Sequence, residues 1–432
     1  MRKGLQKFFT VITTVVMVAA GFSFAGSVSA NAASTDTQVD AKAAIAVDRS
    51  TGQIIYQKNA NQRRAIASMS KLLTVAVIEQ EIHDGKLKWS TKVKVTQPIA
   101  KLSQKKDFSN VPLAAGHKYT VKQLTDAALI QSANGAALAL AQARGETTAQ
   151  FNNKMQETAR QMGVRDAKIY NACGLTNGQI GTIGLKGQKK SLENEMSAKD
   201  VAKVAAGLIS KYPSVLKITK ITSEKFPTTK QKTTQMKTFN KMLPGQSQAP
   251  KSVKINGLKT GTSDKAGACF VSTGNYGGHQ LITVVMHANG GGDARFTQTA
   301  NLYKNVFTNY KPVILTKVST LPTSVASVVV PDGKNQTATN LAVAKPTTIW
   351  MKNSQQISQW TTSLDLKASR STKHGGLIAP VKKGETVGTV NYSMSGFECL
   401  DGSSSVKVPV AAQTSVARAN WFVRTWRAIH WH

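Results

Sequence analysis

The spacing of apolar and polar positions changes several times along the 432-residue chain, and the first clear pattern predicts a hairpin. Residues 43–46 and 53–57 are strand-like, and they flank the polar, glycine-containing segment 48–52 (DRSTG). We therefore expect the folded part of the chain to begin with two antiparallel strands.

Helical spacing follows in the middle of the chain. It predicts helices over about 68–82, 120–131, 135–143 and 197–210. The second and third of these are interrupted at Ser132-Ala133-Asn134, which is expected to form a short turn with two polar side chains.

Strand-like spacing returns from about residue 251. It predicts strands over 253–260, 268–273 and 280–288, the last two joined through 274–278 (GNYGG), and then a helix over about 294–309. Early strands, a helical middle and late strands indicate an α+β domain whose sheet gathers both ends of the segment. We expect this domain to span residues 33–312.

Residues 313–412 differ in kind, because they are rich in Val, Thr and Ser and punctuated by Gly, Asp and Pro. Short runs at 324–330, 347–351 and 386–392 predict a small antiparallel β domain.

The last segment, 413–432, contains no acidic residue and predicts an amphipathic helix. On a helical projection one face collects Ala419, Phe422, Val423, Trp426 and Ile429. Aromatic residues and arginines are typical of a helix that lies in a membrane interface, so we expect attachment to a membrane surface. The alternative is a helix that packs on its own protein.

Residues 1–32 predict a removable export signal. Three basic residues precede an apolar run over about 8–25, and small residues suited to cleavage follow. The mature chain is thus expected to work outside the cytoplasm, at the outer face of the cytoplasmic membrane or in the cell wall.

Charge narrows the choice of partners. The formal net charge is +34, and removing the three basic residues of the leader leaves +31. A field of this size attracts polyanions. Nucleic acid is the usual partner of so basic a chain, but export argues against it and favours anionic wall polymers or lipid headgroups. The alternative is a solvated surface that only keeps the protein soluble.

Cysteine and histidine usage argues against disulfides and metal. Only three cysteines occur, without a Cys-x-x-Cys pair, which indicates buried free thiols. The seven histidines show no zinc-ligand spacing. We expect no metal or other cofactor.

Three segments in chain order carry the candidate chemistry: Ser68-Met69-Ser70-Lys71, Ser132-Ala133-Asn134 and Lys259-Thr260-Gly261. Together they supply a serine nucleophile, amines that can move its proton, and a strand edge, which are the parts of an acyl-transfer site. The Ser-x-x-Lys spacing alone is weak, because it recurs at Ser103, Ser214 and Ser404. Only Ser68 begins an apolar helix that places its lysine one turn later on the same face.

A serine hydroxyl needs a base, and Lys71 is a base only while it is neutral. Burial and a neighbouring positive charge, which Lys259 supplies, both favour the neutral amine. Ser132 is a candidate proton relay, and the Asn134 amide is suited to bind a substrate carbonyl or to position Lys71. For Ser132 and Asn134 the alternative is an ordinary helix cap.

Lys259-Thr260-Gly261 ends a strand-like run, and Thr262 follows it. A strand edge can pair with an extended peptide, Gly261 lets the backbone come close, and the hydroxyls and Lys259 suit a substrate carboxylate. Arg295 is a second candidate for the carboxylate. Its alternative is an exposed arginine at the start of a helix.

The ordered set of segments resembles the penicillin-binding proteins and serine β-lactamases. Segments 64–73 (RAIASMSKLL), 130–134 (IQSAN) and 257–263 (GLKTGTS) are most similar to the low-molecular-mass D-alanyl-D-alanine carboxypeptidases of peptidase family S11. So is the layout of leader, catalytic domain, β domain and terminal amphipathic helix. The resemblance covers nearly the whole chain.

This resemblance implies that Ser68 attacks the carbonyl between the two terminal D-alanines of a peptidoglycan stem peptide. Lys71 would be the general base and Ser132 would help to deliver a proton to the departing D-alanine. Backbone N–H groups of Ser68 and Thr262 would form the oxyanion hole. The terminal carboxylate would be held by Lys259, Thr260 and Thr262, and water would release the acyl-enzyme.

Class A β-lactamases hydrolyse their acyl-enzyme with a glutamate in a Glu-x-x-x-Asn segment, and none lies between Asn134 and Lys259. We therefore expect β-lactams to acylate Ser68 and to remain there as inhibitors. A D,D-endopeptidase or a β-lactamase on the same scaffold is the enzymatic alternative. A non-catalytic wall-binding protein is disfavoured, because it would not need the intact serines and lysines.

Overall fold

The computed structural model describes residues 38–229 and 231–430, so the predicted leader lies outside it. In this part of the chain the helices α1 to α9 are Ser70–His83, Gln97–Ser103, Val121–Ile130, Asn134–Ala141, Thr148–Gln161, Ala198–Lys211, Val215–Thr219, Ala294–Asn309 and Trp421–His430. The strands β1 to β11 are Ala41–Asp48, Ile54–Lys58, Arg64–Ala65, Lys92–Lys94, Lys118–Thr120, Glu195–Met196, Ser223–Pro227, Thr233–Lys237, Lys254–Ser263, Gly267–Tyr276 and His279–Ala288. The strands β12 to β18 are Tyr310–Leu315, Ser327–Val329, Ala338–Val343, Thr347–Lys352, Thr361–Leu366, Thr386–Ser393 and Ser405–Ala412.

A five-stranded antiparallel sheet of order β2-β1-β11-β10-β9 forms the centre of the first part of the chain. The predicted hairpin is its β1–β2 pair, and β1 also pairs with β11, which places Ile45 opposite Val284. Both ends of the segment thus share one sheet, as predicted for an α+β fold. Strand β9, which carries Lys259, lies at the edge of this sheet.

Helix α1 lies at the centre of the helical region. It contacts α3, α4, α5 and α6, and 11 of its 14 residues are buried. Its apolar residues join the core that also contains Ile45 and Val284 of the sheet. A lysine on this helix is therefore removed from water by the fold itself.

Most of the predicted strands and helices are confirmed, and the turn between β10 and β11 is corrected. Strand β10 continues to Tyr276, so the predicted loop 274–278 is mostly strand. The connection to β11 is the pair Gly277-Gly278, with φ angles of +54° and +89° that only glycine adopts easily. A tight two-residue turn replaces the longer loop that we expected.

The predicted β domain is present as a second five-stranded antiparallel sheet of order β13-β14-β18-β17-β16. It has its own apolar core, which runs from Leu315 to Val416. The expected boundary near Pro312 lies within β12, which pairs with β15. The domain bounds themselves remain a prediction.

Strand β15 is also bonded to the first hairpin. The amide of Gln53 donates to the Trp350 carbonyl at 2.6 Å and accepts from the Trp350 backbone N–H at 2.8 Å. The Trp350 indole N–H donates to Asp48 at 2.8 Å. These buried bonds join the β domain to the sheet of the first part of the chain.

The terminal helix is present, but it begins at Trp421 and not at 413. Val416 is buried and pairs with Val381, and Ala419 is also buried, so the stretch before the helix belongs to the β domain. Side chains exposed by 59% to 66% follow on the helix: Trp421, Phe422, Trp426 and Ile429. Ala419 therefore does not share their exposed face.

In the part of the chain that the structure describes, no helix is long and apolar enough to cross a membrane.

The cysteine prediction is confirmed: Cys173, Cys269 and Cys399 are buried and free.

Candidate active site

The candidate nucleophile lies in a tight turn immediately before α1. Residues Ala67–Met69 form a short 3-10 helix, so Ser68 precedes the α-helix that we expected it to begin. Ala67 has a φ of +44°, an uncommon conformation for a residue with a side chain. Such strain is held in place only by surrounding structure, and it concentrates at functional sites.

Two glycines let neighbouring backbone touch this turn, hereafter the nucleophile turn (residues 66–70). A Cβ at Gly174 would lie 1.9 Å from the Ala67 carbonyl oxygen, and a Cβ at Gly261 would lie 2.7 Å from that of Ile66. Only glycine permits such an approach. Gly261 thus allows close contact with the nucleophile turn, while its expected contact with a substrate peptide stays a prediction.

Lys71 is fully buried, and in its ammonium form Nζ has one hydrogen-bond acceptor for each of its three N–H groups. Nζ donates at 2.8 Å to each of three acceptors: Ser68 Oγ, Asn134 Oδ1 and the Cys173 carbonyl. Burial lowers the pKa of Lys71 to about 8. Cys173 opposes this shift, and burial raises the pKa of the Cys173 thiol itself.

Lys259 is buried as expected, and its amine donates to the Thr260 carbonyl at 3.0 Å. Burial first, and then the positive charges of Lys71 and Arg295, hold the pKa of Lys259 well below its usual value. Burial, and not Lys259 as predicted, lowers the pKa of Lys71. The charge of Lys71 instead helps to lower the pKa of Lys259.

Asn134 and Ser132 are both buried where α3 and α4 meet. Asn134 accepts from Lys71 and donates from Nδ2 to the Ser109 carbonyl at 3.1 Å, so it positions the lysine. No side chain caps α4, which argues against the helix-cap alternative. Ser132 has a φ of +54° and lines the same cavity as Ser68.

That cavity, hereafter the Arg295 cavity, has a volume of about 310 Å³. It brings together six of the predicted site residues: Ser68, Ser132, Thr260, Gly261, Thr262 and Arg295. The edge strand β9 thus forms one wall, and the nucleophile lies on the same cavity.

Arg295 is only 6% exposed, so the alternative of an exposed helix-start arginine is wrong. Its Nη1 donates to the carbonyls of Gly261 at 2.8 Å and Cys269 at 3.1 Å, and Nη2 donates to Thr262 Oγ1 at 2.7 Å. The guanidinium therefore braces β9 against β10 and brings positive charge to the cavity.

Two asparagines that no sequence pattern marks hold the loop to which Lys71 is hydrogen-bonded. Asn171 Oδ1 accepts from the backbone N–H groups of Cys173 at 3.1 Å and Gly174 at 2.7 Å. Asn194 Nδ2 donates to the Asn171 carbonyl at 2.7 Å. These bonds fix the loop whose Cys173 carbonyl accepts from Lys71.

Glu193 is a further residue that the sequence does not mark. Together with Ser68 it lines a second cavity of about 570 Å³, hereafter the Glu193 cavity. Glu193 is 3% exposed, and Ser263 Oγ donates to its Oε2 at 2.7 Å. Burial raises the pKa of Glu193, although the Ser263 bond and the positive charge of Lys265 oppose this. No motif or helical spacing marks this residue in the sequence.

A serine held against a buried lysine, beside an edge strand and a cationic cavity, is the arrangement expected of a serine hydrolase of the penicillin-binding type. The sequence model of the D-alanyl-D-alanine carboxypeptidases, peptidase family S11, matches residues 29–290. The chain belongs to this family of serine hydrolases, and it is a low-molecular-mass penicillin-binding protein.

Individual relatives agree with this assignment over most of their length. The D-alanyl-D-alanine carboxypeptidase DacF of Bacillus subtilis is 27% identical over 385 residues, which cover 88% of this chain and 87% of DacF. A peptidoglycan synthesis regulatory factor of Streptococcus pneumoniae, PBP3, has a crystal structure with a TM-score of 0.75 and 30% identity. That match covers 88% of this chain and 100% of the PBP3 chain.

Penicillin-binding protein D2 of Listeria monocytogenes, solved in an ampicillin-bound form, is 26% identical, with a TM-score of 0.50. The match covers 62% of this chain and 98% of the Listeria chain.

Proposed function

We propose that this carboxypeptidase removes the terminal D-alanine from peptidoglycan stem pentapeptides through an acyl-enzyme on Ser68, in cell-wall synthesis and remodelling. The observation that carries the proposal is the 2.8 Å contact between Lys71 Nζ and Ser68 Oγ. Asn134 Oδ1 and the Cys173 carbonyl are acceptors only, so they take two N–H groups of a neutral amine. The nitrogen lone pair is then left for the Ser68 proton.

Acylation follows from this geometry. As Ser68 Oγ bonds to the carbonyl carbon, its proton passes to Lys71, and the carbonyl electron pair becomes an oxyanion held by the backbone N–H groups of Ser68 and Thr262. Collapse of the oxyanion breaks the C–N bond. The departing D-alanine nitrogen keeps the electron pair and receives the Lys71 proton through Ser132, which leaves the lysine neutral again.

The Arg295 cavity is suited to the terminal carboxylate of the leaving D-alanine. Thr260, Thr262 and Arg295 line it, so hydroxyl groups and a guanidinium are available to the carboxylate, and Lys259 is the next residue on β9. Charged acceptors strengthen such hydrogen bonds about twofold over neutral ones. Water then hydrolyses the ester on Ser68 and leaves a stem that is one residue shorter.

The direct test is D-alanine release from a pentapeptide that ends in D-Ala-D-Ala. We expect wild-type protein to release D-alanine and Ser68→Ala to release none while retaining wild-type thermal stability. Absence of release by wild type would refute the proposal, and release by Ser68→Ala would refute the role of Ser68. A cross-linked peptide dimer, incubated in parallel, distinguishes the D,D-endopeptidase alternative.

We further propose that β-lactams acylate Ser68 and are released slowly. The ampicillin-bound form of the Listeria relative supports this, as does the absence of a Glu-x-x-x-Asn segment between Asn134 and Lys259. Mass spectrometry of the protein after exposure to ampicillin is expected to detect a covalent adduct. This adduct should persist for much longer than one turnover of the peptide substrate takes. Rapid hydrolysis of the antibiotic would instead favour the β-lactamase alternative.

We also propose that the mature protein is exported and held at the outer face of the cytoplasmic membrane through α9. The exposed aromatic and aliphatic side chains of α9, together with Arg424, support this location, and the net charge favours anionic lipid or wall polymer nearby. Co-sedimentation with vesicles that contain anionic lipid tests it. Failure of the full mature chain to sediment with them would contradict the proposal.

A further inference from the structure

Glu193 is a buried carboxylate for which the acylation steps above have no use. It is 3% exposed, and Ser263 is its hydrogen-bond donor, to Oε2. Among residues 38–229 and 231–430, no cation forms a salt bridge with Glu193 and no donor reaches Oε1. A buried carboxylate is costly unless it is paired, so a partner from outside the chain would relieve this cost.

The position of the Glu193 cavity indicates which part of a substrate enters it. This cavity shares Ser68 and Thr262 with the Arg295 cavity. Ser68 attacks between the acyl part and the leaving D-alanine, whose carboxylate suits the Arg295 cavity. The acyl part of the peptide is therefore left to extend into the Glu193 cavity.

The charges around this cavity favour a cation. Asp107, Glu193 and Asp264 line it, and its one lining cation, Lys265, is ion-paired with Glu195. This is a local reversal in a chain that has 56 basic and 22 acidic residues. No group of His, Cys, Asp and Glu among the described residues is arranged to hold a metal ion, which favours an organic cation.

We propose that the Glu193 cavity binds an ammonium group on the acyl part of the substrate, with Glu193 Oε1 as its acceptor. This inference rests on the proposed function and adds the side-chain chemistry that the site selects. The Glu193 carboxylate is fixed in position by Ser263 Oγ, which donates to it. Ser263 Oγ is itself fixed, because it accepts from the Ala266 backbone N–H at 3.0 Å.

Two pentapeptides that end in D-Ala-D-Ala test the proposal. They differ only in the residue before this pair, which is lysine in one and Nε-acetyl-lysine in the other. One charge-assisted hydrogen bond is worth about a tenfold to hundredfold change, so wild type is expected to have that much higher kcat/KM for the free amine, mainly through KM. Glu193→Gln keeps the shape and an acceptor for Ser263, and it is expected to remove the preference.

Glu157→Gln is the matched control, because Glu157 pairs with Arg160 on the surface and neither residue lines this cavity. It is expected to keep the preference for the amine. Asp264→Asn, at an exposed position of the lining, is expected to reduce the preference and provides a second variant should Glu193→Gln fail to fold.

Calorimetric binding of both peptides to Ser68→Ala protein separates this inference from the proposed function. Equal affinity for the two peptides would overturn the inference, whether or not wild type turns them over. Release of D-alanine from neither peptide by wild type would overturn the proposed function. Tighter binding of the amine peptide that Glu193→Gln abolishes would support the Glu193 assignment.

Discussion

Replacing Gly174 by alanine tests whether the loop that accepts from Lys71 also holds the nucleophile turn in place. The new Cβ would lie 1.9 Å from the Ala67 carbonyl oxygen and 2.8 Å from Ser70 Oγ, whereas ordinary contact begins at 3.4 Å. Loop and turn must therefore separate by roughly 1.5 Å. A misplacement of about 1 Å costs on the order of a hundredfold in rate.

Stability changes as well, for two separable reasons. Gly174 has a φ of +84°, and a left-handed conformation costs an alanine about 1 kcal/mol. Overpacking adds about 1–3 kcal/mol. We therefore expect Gly174→Ala to lose about 2–4 kcal/mol of unfolding free energy and about a hundredfold in the rate of acylation by a fluorescent penicillin.

Gly187→Ala is the matched control, since Gly187 has a φ of +71° and nothing within 4 Å of its Cβ position. It is expected to lose only about 1 kcal/mol and to acylate at the wild-type rate. Urea unfolding and stopped-flow acylation measure the two effects. Equal stability losses, together with wild-type acylation by Gly174→Ala, would refute the reasoning.

Should Gly174→Ala not fold, Gly261→Ala makes the same test with a smaller steric overlap. Its Cβ would lie 2.7 Å from the Ile66 carbonyl oxygen, a smaller overlap with the nucleophile turn. An acylation rate equal to that of wild type in a folded Gly261→Ala protein would likewise contradict the model of a turn fixed from both sides.

Three further predictions concern the lysine and the C-terminus. Because the neutral amine is the base and the pKa of Lys71 is about 8, acylation is expected to rise about tenfold per pH unit below 8 and to level off above it; a flat profile would exclude Lys71 as the base. Asn134→Asp places a carboxylate beside the Lys71 ammonium, so the midpoint of the pH profile of acylation should move upward by about 1–3 pH units. An unchanged or lower midpoint would contradict this. Removing residues 421–432 should abolish vesicle binding and lower the melting temperature only slightly, because Arg427 Nη1 donates to the carbonyls of Pro331 and Gly333 in the β domain. Removing 414–432 should lower the melting temperature further, because Val416 is in the β-domain core. Equal melting temperatures for the two truncations would count against that core contact.

Patterns with a strong local cause could be predicted from the sequence. The spacing of apolar residues gave α8 its bounds, 294–309, because one face of that helix packs on the sheet. The three motifs were found because their chemistry is local: Lys71 follows Ser68 by one helical turn. Helix α5 was missed, although the capping box formed by Thr147 and Gln150 marks its start.

Residues that act across the fold left no such pattern. Asn171 and Asn194 meet through a hydrogen bond between residues 23 positions apart, and Glu193 meets Ser263 across 70 positions. The burial of Arg295 likewise depends on β9 and β10, which lie upstream of it. Spacing within one segment cannot reveal such partners, because tertiary structure alone brings them together.

The pairing of β1 with β11 makes completion of the candidate active site a late step of folding. Ala41 lies opposite Ala288, so the sheet cannot close until almost 250 further residues have been synthesised. Contacts so distant in sequence form late, because a long loop must be ordered before they are gained. A growing chain that ends before β9 thus contains Ser68 and Lys71 but neither Lys259 nor the cavity beside it. The candidate site is therefore complete only after the last strands of the sheet have folded against the first.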